Sequence, residues 1–278
     1  MLIYSALFLL PVIGHILSPE IPSRLSRIAW VGLVAFTVLI VGLRFDVGCD
    51  WKGYWIIYEV INGINTSSFY HNYINPSSVT RILKEGALYL GLNWLVGQFN
   101  AGLVGVNLIC ALVMLLGLSA FCRRLPLPWL GWLIASPYLI TVVGMGYTRQ
   151  SVAIGLFCWA LGSLRDSKIG KYLLFCFFAA GFHISAILLI FLGLIFYRRR
   201  YIQALTTFPR LSIALSSGAA LVLGLVLWGS LGDDLIRYLT SPHYHSSGAS
   251  YRALLTAVPG VFLLLLRDKL YQPSSIIH

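Results

Sequence analysis

The feature that most constrains this chain is a series of apolar runs, each close to the length an α-helix needs to cross a bilayer. A run of about 20 residues, rising 1.5 Å per residue, spans the ~30 Å of hydrocarbon. Such runs recur near 2–17, 28–43, 101–121, 127–144, 150–164, 171–182, 184–197, 211–231 and 253–266. Lipid offers backbone N–H and C=O groups no outside partner, so the spans must satisfy them internally as helices. The alternating pattern of a membrane β-barrel is absent. Only 10% of residues are charged, too few to wet the surface of a soluble domain of this size, where about 25% is usual. The expected fold is therefore all-α, a polytopic transmembrane bundle of about nine helices forming a single domain over residues 1–278. The first run has no basic residue before it and no small-residue cleavage pattern after it, so it is expected to be a retained helix rather than a signal peptide.

The formal charge of +11 would suggest nucleic acid in a soluble protein. In a membrane protein the excess of Lys and Arg in cytoplasmic loops accounts for it, and no nucleic-acid partner is expected. The five cysteines do not form a framework: Cys110, Cys158 and Cys176 lie in apolar runs, Cys122 at a run's end and Cys49 in a long loop. There is no CxxC pair, so neither a disulfide set nor a zinc site is indicated.

Residues 171–197 can be read as one long helix or as two that turn at Gly181-Phe182-His183. Loop charge arbitrates, because orientation follows the Lys/Arg bias. With two crossings the cytoplasmic side collects 13 basic residues against 7, and with one crossing 9 against 11. Two crossings are therefore expected. The loops 44–100, 144–149, 181–184 and 232–252 then all fall on the extracytoplasmic side.

The longest of these loops, 44–100, carries two segments of interfacial character. Tyr54 to Ile61 is aromatic and apolar, and Leu88, Leu92, Leu95 and Val96 follow helical spacing. Both suit helices lying at headgroup level. The polar stretch between them, Asn62 to Ser78, reads as a lid or a substrate-contacting loop.

Four polar clusters stand out. Arg44 to Tyr54 places Asp46, Asp50, Lys52 and two glycines around Arg44. It reads either as solvated helix-end charges or as an acid/base site beside an anion-holding cation. Arg149, near the start of the fifth run, sits where the helix dipole disfavours a cation. It makes sense with an anion shared between its guanidinium and the free backbone N–H groups, or as an Arg reaching for lipid phosphate. His183 interrupts an apolar run, as a packing residue or as a proton carrier near neutral pH. The last loop holds Asp233, Asp234, Arg237, His243, His245 and Arg252; the i, i+2 histidines make only a weak zinc pattern. No Walker loop, dinucleotide fingerprint or Ser elbow is present.

Taken in order, these clusters resemble the EpsG family, the Wzy-like polymerases of exopolysaccharide and capsule synthesis. Arg44…Gly48-Cys49-Asp50-Trp51…Tyr54 is similar to the family's Arg, Gly-x-Asp-aromatic and Tyr. Glu85-Gly86 resembles its Glu-Pro-Gly element, Tyr147-Thr148-Arg149-Gln150 with Ala153 its Arg-Gln-x-x-Ala helix start, and Phe182-His183-x-Ser185-Ala186 its Phe-His-x-Ser-Ala element. Trp51 replaces the usual Tyr, the Pro before Gly86 is missing, and the chain is short for the family.

The resemblance implies a polymerase in the bacterial cytoplasmic membrane with its active site facing outward. It would transfer a growing glycan from a polyprenyl-diphosphate carrier to a lipid-linked repeat unit, with a flippase and a chain-length regulator as partners. Energy comes from the lipid diphosphate, so no cofactor and no metal is implied. Arg44 and Arg149 would hold the diphosphate, with Arg252 as a third cation. His183 or Asp50 would deprotonate the acceptor, and Tyr54, Glu85 and Gln150 would contact substrate. Three rival readings stay open: a lipid-phosphate-sugar glycosyltransferase, a lipid-linked glycan transporter, and a non-catalytic partner in an assembly complex.

Overall fold

A computed structural model describes residues 2–18, 20, 22–48, 50–64, 86–190 and 193, all within one compact unit. The expected helices 211–231 and 253–266, most of the polar stretch 62–78, Cys49, Glu85 and Arg252 lie outside the described residues. Among those described, every regular element is helical.

The helices are α1 (Leu2–Leu17), α2 (Ser23–Gly42), α3 (Trp51–Ile61), α4 (Ala87–Gln98), α5 (Gly102–Cys122), α6 (Pro128–Gly146), α7 (Thr148–Arg165) and α8 (Ile169–Phe182). The α2, α5 and α6 helices are long and apolar enough to cross a membrane, and Ser5–Leu17 and α8 are shorter apolar helices. Helix α2 starts five residues before its expected position, because Ser23, Arg24 and Arg27 extend it beyond the apolar run. Helix α6 changes pitch at Ser136–Val143, where Pro137 lies in the first turn of a π-helical stretch. The Ser136 hydroxyl donates to the Trp132 carbonyl at 2.9 Å, in the turn where Pro137 brings no N–H to the ladder.

Side-chain distribution is that of a membrane bundle. Val31 and Leu39 on α2 and Leu112 and Leu116 on α5 face outward, whereas Thr37, Asn107, Ser119 and Ser136 are buried. In lipid, apolar groups can face outward freely while polar groups seek the interior. Helix α7 is central and packs against α5 and α8. A Cβ on Gly117 would collide with the Gly155 carbonyl, and one on Gly155 with the Met114 backbone, so small residues let α5 and α7 come into backbone contact.

The bundle alternates in direction, giving it two chemically distinct ends. At one end Trp30 donates to the Ser119 hydroxyl at 2.8 Å and meets Trp129 and Trp132 edge to face at 5.0 and 5.5 Å. Arg124 and Arg165 tie α5 to α7 at that same end. The other end holds the C-termini of α2, α6 and α8, the N-termini of α5 and α7, and the short pair α3 and α4.

The stretch 171–197 turns. Helix α8 ends at Phe182, His183 is extended (φ −147, ψ 114), and a 3-10 turn at Ile184–Ala186 leads into helix again at 187–190. The Tyr172 hydroxyl donates to the Leu189 carbonyl, and Gly193 packs against the Tyr172 ring. Residues on either side of His183 thus lie side by side, which a single straight helix cannot do.

Candidate active site

Four segments far apart in sequence meet at the end of the bundle where α7 begins. Two glycines allow the approach. Gly48 has φ +113, and a Cβ there would run into the Met145 carbonyl; Gly86 has φ +86, and its Cβ would strike the Phe182 carbonyl. Both positions demand a left-handed backbone and close contact, which only glycine combines cheaply. They dock the 44–54 segment on the α6–α7 junction and the start of α4 on the end of α8.

Arg44 is the buried hub, only 7% exposed. Its Nη1 donates to the Val41 carbonyl at 2.6 Å, which caps α2. Its Nη2 donates to the Thr148 hydroxyl at 2.7 Å and to Asn107 Oδ1 at 3.3 Å. Among the described residues every acceptor of Arg44 is neutral, so none of them compensates its charge. Burial lowers the Arg44 pKa, against the polarity of Cys110, Tyr89 and Tyr54 nearby.

Beside this hub Arg149, half-buried at the start of α7, lies over the Tyr54 ring with the guanidinium carbon 5.8 Å from its centroid. Tyr54 in turn packs edge to face on Tyr89 at 5.6 Å. Burial pushes the Tyr54 hydroxyl up to about 12, with the Arg149 charge opposing and the nearby Asp50 charge adding, so the phenol stays protonated as a hydrogen-bond donor. His183 is half-buried, and its Nδ1 is a buried atom with no hydrogen-bond partner among the described residues. Burial, and then the Arg149 charge, lowers its pKa. A neutral imidazole with a free nitrogen can accept a proton at neutral pH.

The structure therefore brings together Arg44, Tyr54, Arg149 and His183. Asp50 stands at the exposed rim, ahead of α3 and without a capping hydrogen bond, and Gln150 is exposed on α7. Glu85 directly precedes the docked Gly86 in sequence but lies outside the described residues, as does Arg252. The residues that motif reading missed are Thr148 and Asn107, which position Arg44, and Tyr89, which backs Tyr54. A lone Asn in the apolar 21-residue α5 was a readable signal, since polar groups at membrane depth carry a functional presumption.

Segments gathered in this way are those whose order pointed to a family, and a family model described as the EpsG family matches residues 27–276. The chain belongs to the EpsG family. Neither a curated protein nor a solved structure matches it. EpsG membership together with the apolar helices makes this a polysaccharide-related membrane protein. The match covers α2 through α8, every helix that contributes to the candidate site.

Proposed function

We propose that this chain is a polysaccharide polymerase of the bacterial cytoplasmic membrane, acting on polyprenyl-diphosphate-linked glycans on the extracytoplasmic side. The observation that carries this reading is the convergence of Arg44, Tyr54, Arg149 and His183 from three separate segments around two glycine-dependent contacts. The basic residues Arg24, Arg27, Arg123, Arg124, Arg165, Lys168 and Lys171 cluster at the opposite end, which supports placing the site outside.

In this reading His183 takes the proton from an acceptor hydroxyl as its oxygen bonds to the anomeric carbon of the donor glycan. The bond from that carbon to the diphosphate oxygen breaks, and the electron pair leaves with the polyprenyl diphosphate. Arg149 contacts the departing charge. Arg44 raises the local positive potential from beneath, and Asp50 at the rim and the Tyr54 hydroxyl contact sugar. Fixed positive groups in a site of low dielectric stabilise such a leaving group far better than they would in water. Glu85, Gln150 and Arg252 remain proposed substrate contacts, and a flippase and a chain-length regulator the proposed partners.

The test is glycan length on the lipid carrier in a host lacking its own polymerase but supplied with the neighbouring assembly enzymes. Wild type should give a ladder, and Arg149→Ala and His183→Ala, at equal membrane levels, single repeat units. Single units with wild type would reject the polymerase reading. A ladder from both variants would reject the site.

A further inference from the structure

Helices α3 and α4 run parallel. Tyr54 meets Tyr89 at their starts, while at their ends Asn62 donates from Nδ2 to the Asn93 carbonyl at 3.2 Å and to the Tyr58 carbonyl at 2.9 Å. Between those ends lies a cavity of about 220 Å³. Its lining includes Tyr58, Asn62, Trp94, Gly97, Gln98 and Asn100, two aromatic rings and three carboxamides, with no carboxylate, Lys, Arg or His among the described lining residues. Gly97 lets the Asn62 side chain pack against α4, since a Cβ there would collide with it.

This chemistry contrasts with that of the arginine site at the other end of the same helices. A carboxamide donates and accepts at once, which matches a sugar hydroxyl that does the same. Trp94 is 55% exposed and offers a broad apolar face with a polar edge, suited to the C–H face of a pyranose ring. Among the described lining residues none carries a positive charge to neutralise a phosphate. Tyr54 and Asn62 are eight residues apart on one chain, about 12 Å of helix rise. The cavity therefore lies beyond the ring that carries the diphosphate.

We propose that this cavity is a neutral-sugar subsite, holding a ring of the lipid-linked glycan at a distance from the diphosphate. It rests on the polymerase reading for its substrate and assigns Trp94, Gln98 and Asn62 to recognition of the repeat unit. The sugar stacks on Trp94, the Gln98 and Asn100 amides exchange hydrogen bonds with its hydroxyls, and Asn62, whose Nδ2 is committed to both helices, offers its Oδ1 as an acceptor.

The test is equilibrium binding to the full chain in lipid nanodiscs, followed by ligand-observed NMR. Two probes are used: the oligosaccharide released by mild acid from the lipid-linked repeat unit, and inorganic pyrophosphate. Wild type should bind both. Trp94→Leu, which keeps an apolar group for any membrane-anchoring role, should weaken the oligosaccharide roughly five- to tenfold and leave pyrophosphate unchanged. Trp94→Phe, which keeps a ring, should retain most of the oligosaccharide affinity. Arg149→Gln should do the reverse of Trp94→Leu, losing pyrophosphate only. No oligosaccharide binding by wild type, or equal binding by Trp94→Leu, overturns the subsite. If Trp94 governs oligosaccharide binding while the ladder assay gives single units, the subsite stands and the polymerase reading fails.

Discussion

Arginines at the two ends of the bundle meet opposite environments. Arg124 is 41% exposed and forms a two-pronged pair with Asp166, 3.1 Å from Oδ1 and 3.2 Å from Oδ2. It also donates to the Gly162 carbonyl at 2.6 Å. Arg44 is buried, and among the described residues its acceptors are a carbonyl, a hydroxyl and an amide oxygen. A structural arginine is normally neutralised where it sits, because a buried charge without a counter-ion costs several kcal/mol. Keeping Arg44 uncompensated makes sense if an anion completes the site in use. The contrast therefore separates an end built to lock helices from an end built to receive negative charge.

The largest effect expected is at Arg149. Replacing it with Gln should cut polymer formation by about 10²–10³, the usual loss for one electrostatic donor to developing charge, with membrane level and thermal transition unchanged. The variant also tests His183. A base must be neutral, so activity should fall as pH drops through the His183 pKa, which lies below the usual 6.5. Burial is the first cause of that depression and the Arg149 charge the second. Removing the charge should let the pKa rise, moving the acid limb of the residual activity to higher pH. A pH–rate profile with an unmoved limb would break the coupling between these two residues.

Arg44 comes next, because it joins packing to charge. Arg44→Met leaves the Val41 carbonyl and the Thr148 hydroxyl without their Arg44 donor, while Asn107 Oδ1 keeps the Thr148 hydroxyl at 3.3 Å. Hydrogen bonds to a charged group are worth about 1.5–3 kcal/mol, partly offset by no longer burying the charge. A net loss of about 1–2 kcal/mol is expected in a detergent unfolding titration, with weaker pyrophosphate binding. Arg44→Lys should keep part of the binding but little of the stability, since one ammonium cannot reproduce the guanidinium fork. If Arg44→Met binds pyrophosphate like wild type, the buried charge serves only to join helices.

This division was partly legible in sequence. The apolar runs placed α1, α2 and α5 to α8 within about five residues, because bilayer thickness dictates length and sequence shows apolarity directly, while α3 and α4 were marked as interfacial segments by their aromatic content and helical spacing. The motifs marked Arg44, Tyr54, Arg149 and His183, because charge, aromatic rings and histidine are costly near a membrane. Their companions were visible as residues, Asn107 as a lone polar group in an apolar run and Thr148 inside a motif, but what they bind was hidden. Asn107 and Thr148 matter only through the register of α5 and α7, and Gly48 and Gly86 through what lies opposite them. Loop charge pointed correctly to a turn at His183, but the decisive contact, Tyr172 with Leu189, joins residues whose proximity no periodicity reveals. The cavity at Trp94 was unreadable for the same reason, since it depends on α3 and α4 running parallel.

The smallest effect should come from the other end. Arg124→Ala removes a pair that is half-exposed on both partners, 41% and 40%, where water and salt screen the attraction. Such pairs contribute about 0–1 kcal/mol, and Asp166→Asn should cost no more. The remaining loss is the bond to the Gly162 carbonyl, which closes the C-terminal turn of α7. Water can replace that bond at an exposed helix end. Both variants should therefore shift unfolding slightly, progressively less as salt is raised, and leave glycan length and pyrophosphate affinity at wild-type levels. A loss of polymer with intact folding in either variant would mean that the two ends are coupled through α7, because Arg149 and Asp166 flank opposite ends of that one helix. The locking end would then also tune the anion site, and the separation drawn from charge compensation would fail.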